Sequence, residues 1–522
     1  MAKENSTKKT TTAKTPVKKT TTKSSNTTKK VVKKEIPVEK EVVIKEERVE
    51  TTINKQTKKT SKFGLEKLLM LVIVVTLILT WFIKSGTFGT DYAESSFIRL
   101  GFLDLYNVIP VIFGYFGYYF LFIICIGLFY GILNATGAYN NLINKIVTKI
   151  NNPSKFLIIL ISILTIFISI TGFGIEIFLI IPFITAILYK LGYNKMTAAL
   201  VFLGSIAAGL MGNTVGVYLL GAVIKQYDLT YTTNMPFKLL LLLIALLLIV
   251  KQLVIVSKNT DKEEKEKLLF NEEVNNNVPT LPLIIVLVIT IIFSFLAILD
   301  INGAIENFTI FTKINDFLIN FDLFGIHPFA VLLSSEMTAF GTWSFSTIGF
   351  LLILSTLILS FIYGIKFDTY LENAIKGIKR VLRPAIFSSL IFIVVILCSK
   401  SSIQTSFMNF VFNLSDTANV FTAFISSLIG SIFINDSLYI HSFVMIPFME
   451  VCTVAGSIMG LIVQSLIGFS ILVMPTNIVL YVALSYFEIS YKEWIKTNKN
   501  LILQFLGLIF VVIVVSNMLV IK

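Results

Sequence analysis

Apolar runs of about 20 residues recur almost without interruption from Leu68 to the C-terminus. A helix needs that length to cross roughly 30 Å of hydrocarbon. Inside lipid, every backbone N–H and C=O must be satisfied without water, which leaves helices and closed barrels as spanning structures. A barrel would show segments of about 10 residues with alternating polarity, and the chain lacks them. Composition agrees: 55% of the 522 residues are hydrophobic and 14% are charged, against about 45–50% and about 25% in soluble domains. The expected fold is an all-α polytopic membrane protein with about 11 to 13 apolar helices, some of them broken or re-entrant.

Positive charge is concentrated at one end. Residues 1–62 hold 18 Lys and Arg against 7 Asp and Glu, a net of +11 out of +13 for the whole chain. This Lys/Thr/Ser mixture has no aromatic residue and cannot bury enough apolar area to offset ordering entropy, so a disordered tail is expected. Without aromatics for base stacking, nucleic acid is not an expected partner; contact with anionic lipid is. The first apolar run begins only after about 60 polar residues, which argues against a cleaved secretory signal. Cys125, Cys398 and Cys452 lack paired spacing, and His327 and His441 stand apart, so neither a disulfide framework nor a metal site is indicated. No cofactor is expected beyond a proton or sodium as coupling ion.

Basic residues at the ends of apolar runs orient the chain. The tail sets a cytoplasmic N-terminus and a multi-pass protein of the cell membrane. The first transmembrane repeat covers 63–257, a charged cytoplasmic linker covers 258–280, and a second, inverted half covers 281–522. Lysines at 145, 149 and 155 mark one cytoplasmic loop, Lys190 and Lys195 another, and Lys366 to Arg383 a third. Met196 to Ile224 is too long for one span and carries five glycines, which points to a broken helix or re-entrant hairpin.

The halves share features at a nearly constant offset of 260 to 265 residues. Ile181-Pro182-Phe183 recurs as Ile446-Pro447-Phe448, each after an acid, Glu176 or Asp436. About 30 residues on, Asn213-Thr214 corresponds to Thr476-Asn477. Basic loops in one half match uncharged loops in the other, and the external Tyr227 to Asn234 segment matches one bearing Lys492, Lys496 and Lys499. Two repeats of inverted topology are therefore expected, the architecture of many secondary transporters.

Unwound backbone beside amides and hydroxyls can replace the hydration shell of a solute. Gly212, Asn213 and Thr214 in one half and Pro475, Thr476 and Asn477 in the other are the candidate substrate-binding residues; interhelical hydrogen-bonding glue is the competing role. Acids retained in apolar sequence are costly, so Glu176 and Asp436 are candidate ion-coupling residues, with Glu336 and Glu450 behind them. Interfacial solvation is the plain alternative for each.

The stretch from Phe129 to Ala138, Phe-Tyr-Gly-Ile-Leu-Asn-Ala-Thr-Gly-Ala, resembles the "GGFFGVLNATGA" segment of the anaerobic four-carbon dicarboxylate carrier (DcuC-like) family, especially its YfcC-like branch, in the ion transporter superfamily. Leu191-Gly192-Tyr193, Met474-Pro475-Thr476 and Tyr491 to Lys496 are similar to the family as well. The likeness spans about Leu65 to Leu519. Departures fall in the candidate site: the family's "STVNP" reads Asn213-Thr214-Val215-Gly216-Val217, and its "PTSG" reads Pro475-Thr476-Asn477-Ile478. The resemblance implies a secondary active transporter, an ion-coupled carrier or exchanger, for small organic anions or amino acids, and not an enzyme. The alternative is a transport-inactive membrane scaffold presenting its basic tail. Oligomeric state, a homodimer included, is left open.

Overall fold

The computed structural model describes residues 64–88, 92–216, 221, 224, 228–258, 278–299, 301, 308–333, 338–414, 419–433 and 454–520. The tail, most of the 258–280 linker, Glu336, Asp436, His441, Glu450, Cys452 and the second Ile-Pro-Phe motif lie outside these residues.

In the first half α1 (Leu65–Phe82) leads through a short antiparallel ribbon, β1 (Gly86–Phe88) and β2 (Tyr92–Glu94), to α2 (Asp104–Ala135), α3 (Ala138–Lys149) and α4 (Pro153–Thr171). A 3-10 turn (Ile175–Leu179) precedes α5 (Ile181–Lys190), α6 (Lys195–Met211) and α7 (Met235–Lys258). The second half holds α8 (Leu281–Ile298), α9 (Ile310–Asn320), α10 (Pro328–Leu333), α11 (Phe345–Ile362), α12 (Phe367–Leu390) and α13 (Phe392–Ser401). It continues with α14 (Ile403–Phe412), α15 (Val420–Phe433), α16 (Gly456–Val473), α17 (Ile478–Tyr486) and α18 (Tyr491–Val520). Among the described residues nine helical stretches are long and apolar enough to cross a membrane, and three shorter apolar helices accompany them. The protein is an all-α, multi-pass membrane protein.

Local sequence explains where the helices start and stop. Asn152 caps α4 by accepting from Lys155 N at 3.0 Å, with Pro153 at the first helical position. Asn194 caps α6 in the same way through Thr197 N at 2.8 Å. Burial then sorts the helices into layers. On α1, Leu65, Leu69, Ile73 and Leu77 are buried, while Met70, Val74 and Ile78 on the other side are exposed and equally apolar. A helix apolar all round with one side uncovered is suited to lipid. At the centre, 89% of an 18-residue apolar window within the Gly456–Tyr486 stretch is buried, against 28% of α8 at the periphery. Helix α6 is buried along almost its whole length.

Two expected loops are helical. The basic segment from Lys366 to Arg383 forms most of α12, and the lysine-bearing segment after Asn140 lies in α3. Positive residues report the side of the membrane and say nothing of backbone conformation. In α12 the period decides: Asn373, Ala374, Gly377 and Val381 are buried on one face, while Lys376, Lys379 and Arg383 are exposed. That buried face packs on α2. A Cβ on Gly127 would stand 2.8 Å from the Gly377 carbonyl oxygen, and one on Gly131 would stand 3.1 Å from Gly377 Cα. Only glycine allows this backbone approach. The apolar stretch from Glu176 to Tyr189 is divided into the 3-10 turn and the 10-residue α5, too short for either piece to cross alone.

Candidate functional site

Helix α4 ends after Thr171 at Gly172, whose φ of +75° places it in the left-handed region. Helix α6 stops at Met211, and Gly212 to Gly216 are not helical. The two ends lie side by side. Thr214 N donates to Ser169 O at 2.9 Å, and Ser169 Oγ donates to Gly212 O at 2.7 Å. Thr214 Oγ1 donates to the same Ser169 carbonyl at 3.2 Å. Asn213 Oδ1 accepts from Gly216 N at 2.7 Å, closing a turn on itself. A Cβ on Gly216 would stand 2.5 Å from Gly172 N, so the two segments meet backbone to backbone.

In the second half α16 ends at Val473, and Met474, Pro475 and Thr476 form the turn into α17. Tyr491 Oη donates to Val473 O at 2.6 Å and Trp494 Nε1 to Leu472 O at 2.8 Å. These bonds satisfy carbonyls that the end of α16 would otherwise strand. Asn477 is the N-cap of α17: its Oδ1 accepts from Val479 N at 2.9 Å and Leu480 N at 3.3 Å, and its Nδ2 donates to Ser470 Oγ at 3.0 Å.

The halves are joined near these breaks. Gln464 Nε2, on α16, donates to Met211 O at 3.1 Å and Asn213 O at 3.0 Å. A Cβ on Gly174 would lie 3.8 Å from Val479 Cγ2, which sets the loop before the 3-10 turn against the start of α17. Glu176 sits in that turn, buried, with Oε2 accepting from Gly174 N at 2.7 Å. Asn213, Thr214, Thr476 and Asn477 are all buried, and Pro475 is half-buried. The expected residues of the first half are thus together with Glu176 nearby. The start of α17, next to Thr476 and Asn477, approaches the loop at Gly174 through Val479, while the middle of α16 reaches Asn213 through Gln464.

The arrangement places non-helical backbone, amides, hydroxyls and a carboxyl inside an otherwise apolar bundle, where irregular backbone is tolerated only if buried in protein or lining a cavity. Most of the side-chain polarity of Asn213, Thr214 and Asn477 is already spent within the protein: Asn213 and Asn477 shape their own turns, and Thr214 bonds to Ser169 on α4. Ser169, Gln464 and Lys238 were not singled out in the sequence. Serine and glutamine in a span carry no signal by themselves. Lys238 does: it opens an unbroken leucine-rich run at the end of α7 opposite Lys258.

A sequence profile described as the C4-dicarboxylate anaerobic carrier, DcuC, matches residues 117–520. No curated protein matches the chain by sequence. Among solved structures the chain is similar to the YdaH transporter of Alcanivorax borkumensis, at 12% identity over 86% of this chain and 97% of that one, with a TM-score of 0.35. The profile match leaves out the N-terminal tail, the first helix, its ribbon and the start of α2, covers nearly all the rest, includes every described candidate residue, and shows that the chain belongs to the DcuC family of C4-dicarboxylate anaerobic carriers.

Proposed function

We propose that the protein is an ion-coupled secondary carrier or exchanger of small organic anions, with four-carbon dicarboxylates as the first substrates to test and amino acids as the second. Family membership over residues 117–520 carries this reading. Its supporting geometry is the meeting of two helix ends at Gly172 and Gly216, with a third interruption at Pro475 and Thr476 followed by Val479, which stands against the loop at Gly174. The two halves act as inverted repeats, and substrate is held by the unwound backbone that Gly212, Asn213, Thr214, Pro475, Thr476 and Asn477 shape. Glu176 and Asp436 couple a proton or sodium. The N-terminal tail lies on the cytoplasmic side.

The full chain in proteoliposomes should take up labelled succinate or fumarate saturably, with a rate that responds to an imposed proton or sodium gradient. Thr214→Val and Thr476→Val should each cut flux at least tenfold while the protein stays monodisperse. One observation favours a membrane scaffold instead: the side chains of Asn213, Thr214 and Asn477 are already engaged in hydrogen bonds within the protein. A folded wild type with no flux for any dicarboxylate or amino acid would establish that scaffold reading and remove the carrier.

A further inference from the structure

Among the described residues only two acidic or basic side chains are buried, Glu176 and Lys238. An ammonium taken out of water carries a penalty of several kcal/mol unless it is paired. Lys238 is not paired: Nζ donates to Tyr231 O at 3.1 Å, and no described carboxylate lies within ion-pair distance. An ammonium has three donors, so two of its N–H groups lack an acceptor among the described residues. The nearest described acid in sequence, Asp228, is exposed with a left-handed backbone.

Lys238 lines a pocket with Thr230, Thr233, Asn234, Ser457 and Gln464. Asn234 Nδ2 donates to Ser457 O at 2.7 Å, fastening the start of α7 to the start of α16 across the pocket. The lining mixes hydroxyls, amides and one cation, and the free interior is about the size of one water molecule. That is room for a carboxylate oxygen and too little for a whole diacid. Gln464 Oε1 is buried and has no hydrogen-bond partner. The same side chain holds Met211 O and Asn213 O through Nε2, so a ligand in the pocket touches a residue that also anchors the break after α6.

Resting on the carrier reading above, we propose that Lys238 receives a carboxylate of the transported anion, in a pocket at the end of α7 remote from Lys258, and that Gln464 links its occupancy to the unwound segment at Asn213. The lysine is then retained in apolar surroundings because the substrate supplies its counter-charge during the cycle.

Three arms test this with the full chain. In proteoliposomes, Lys238→Gln should raise the half-saturating succinate concentration at least tenfold, and Lys238→Arg should stay within about threefold of wild type. In detergent, succinate should raise the melting temperature of wild type, and Lys238→Gln should need at least ten times more succinate for the same shift. On wild type alone, saturating succinate should slow reductive methylation of Lys238 and leave the exposed Lys258 unchanged, a readout that needs no folded variant. Unchanged half-saturation in folded Lys238→Gln, or equal methylation of Lys238 with and without succinate, overturns the proposal while carriage stands. Flux only of substrates without a carboxylate does the same. If no flux is found at all the carrier reading falls, and the two succinate-binding arms still decide Lys238.

Discussion

At Gly172 the backbone has a φ of +75°, and the space a side chain would need is occupied by Asn213 Nδ2 and Gly216 Cα, each 3.2 Å from an added Cβ. Left-handed conformation costs a non-glycine residue roughly 1–2 kcal/mol, and here the close neighbour adds to it. Gly172→Ala should lower the melting temperature of the purified protein; an unchanged value would mean the turn is not formed as described. Asn477 makes a different kind of contribution. Its Oδ1 satisfies two amide groups at the start of α17, and loss of such a cap costs about 0.5–2 kcal/mol. Asn477→Ser, whose hydroxyl can accept from the same amides without burying a charge, should keep part of that stability and Asn477→Ala should lose it, as read by thermal unfolding of the two variants. The sequence made these positions visible as helix breakers beside amides. It did not reveal that the amides serve their own turns, through Gly216 N for Asn213 and Val479 N and Leu480 N for Asn477, or that Thr214 is tied to Ser169, a partner fixed by tertiary approach. The enclosure of Lys238 is hidden in the sequence for a related reason: a lysine at the start of a span ordinarily snorkels to the interface, and only packing against α16 shows that this one is enclosed.

Among the elements, α12 departs most from the sequence-based expectation. Its lysines and arginines suggested a cytoplasmic loop, and they do line an exposed face; the small residues at 373, 374, 377 and 381 form the opposite, buried face against α2. Glu372 and Lys376 bridge at 2.8 Å along that exposed surface, and Arg383 reaches Glu66 at 2.6 Å. Exposed pairs of this kind contribute about 0–1 kcal/mol, so the glycine crossing with α2 does more to fix the helix. Gly377→Leu must separate the two backbones, and overpacking of this kind costs about 1–3 kcal/mol or more. It should destabilise the protein far more than Lys376→Ala, a ranking that a thermal-shift comparison checks directly. The full-length spans were legible because length and apolarity alone define them. The 3-10 turn and the short α5 were not, since an apolar run does not state where its backbone changes winding.

For the whole molecule, composition was enough to assign a helical membrane protein, and the resemblance in the Phe129 to Ala138 stretch anticipated the family that the profile match shows. The inverted relation of the halves remains a proposal with a direct topological test. In a variant lacking the native cysteines, Thr232→Cys and Lys496→Cys, at corresponding places in the two halves, should react with an impermeant thiol reagent from opposite sides of the membrane, Lys496→Cys from the side that carries the N-terminus. Labelling of both from one side would sink the orientation.

The backbone approach of Gly172 and Gly216 also constrains how such a protein could move. Backbone meets backbone there with only the Asn213 amide packed beside it, and hydrogen bonds between Ser169 and Gly212 and Thr214 tie the two segments next to the contact. Whatever rocks or slides during a cycle, these two stretches would travel as one body. A pair of spin labels on α4 and α6 should therefore report the same separation with and without substrate, a fixed ruler inside the protein against which the displacement of α16 and α17 can be measured.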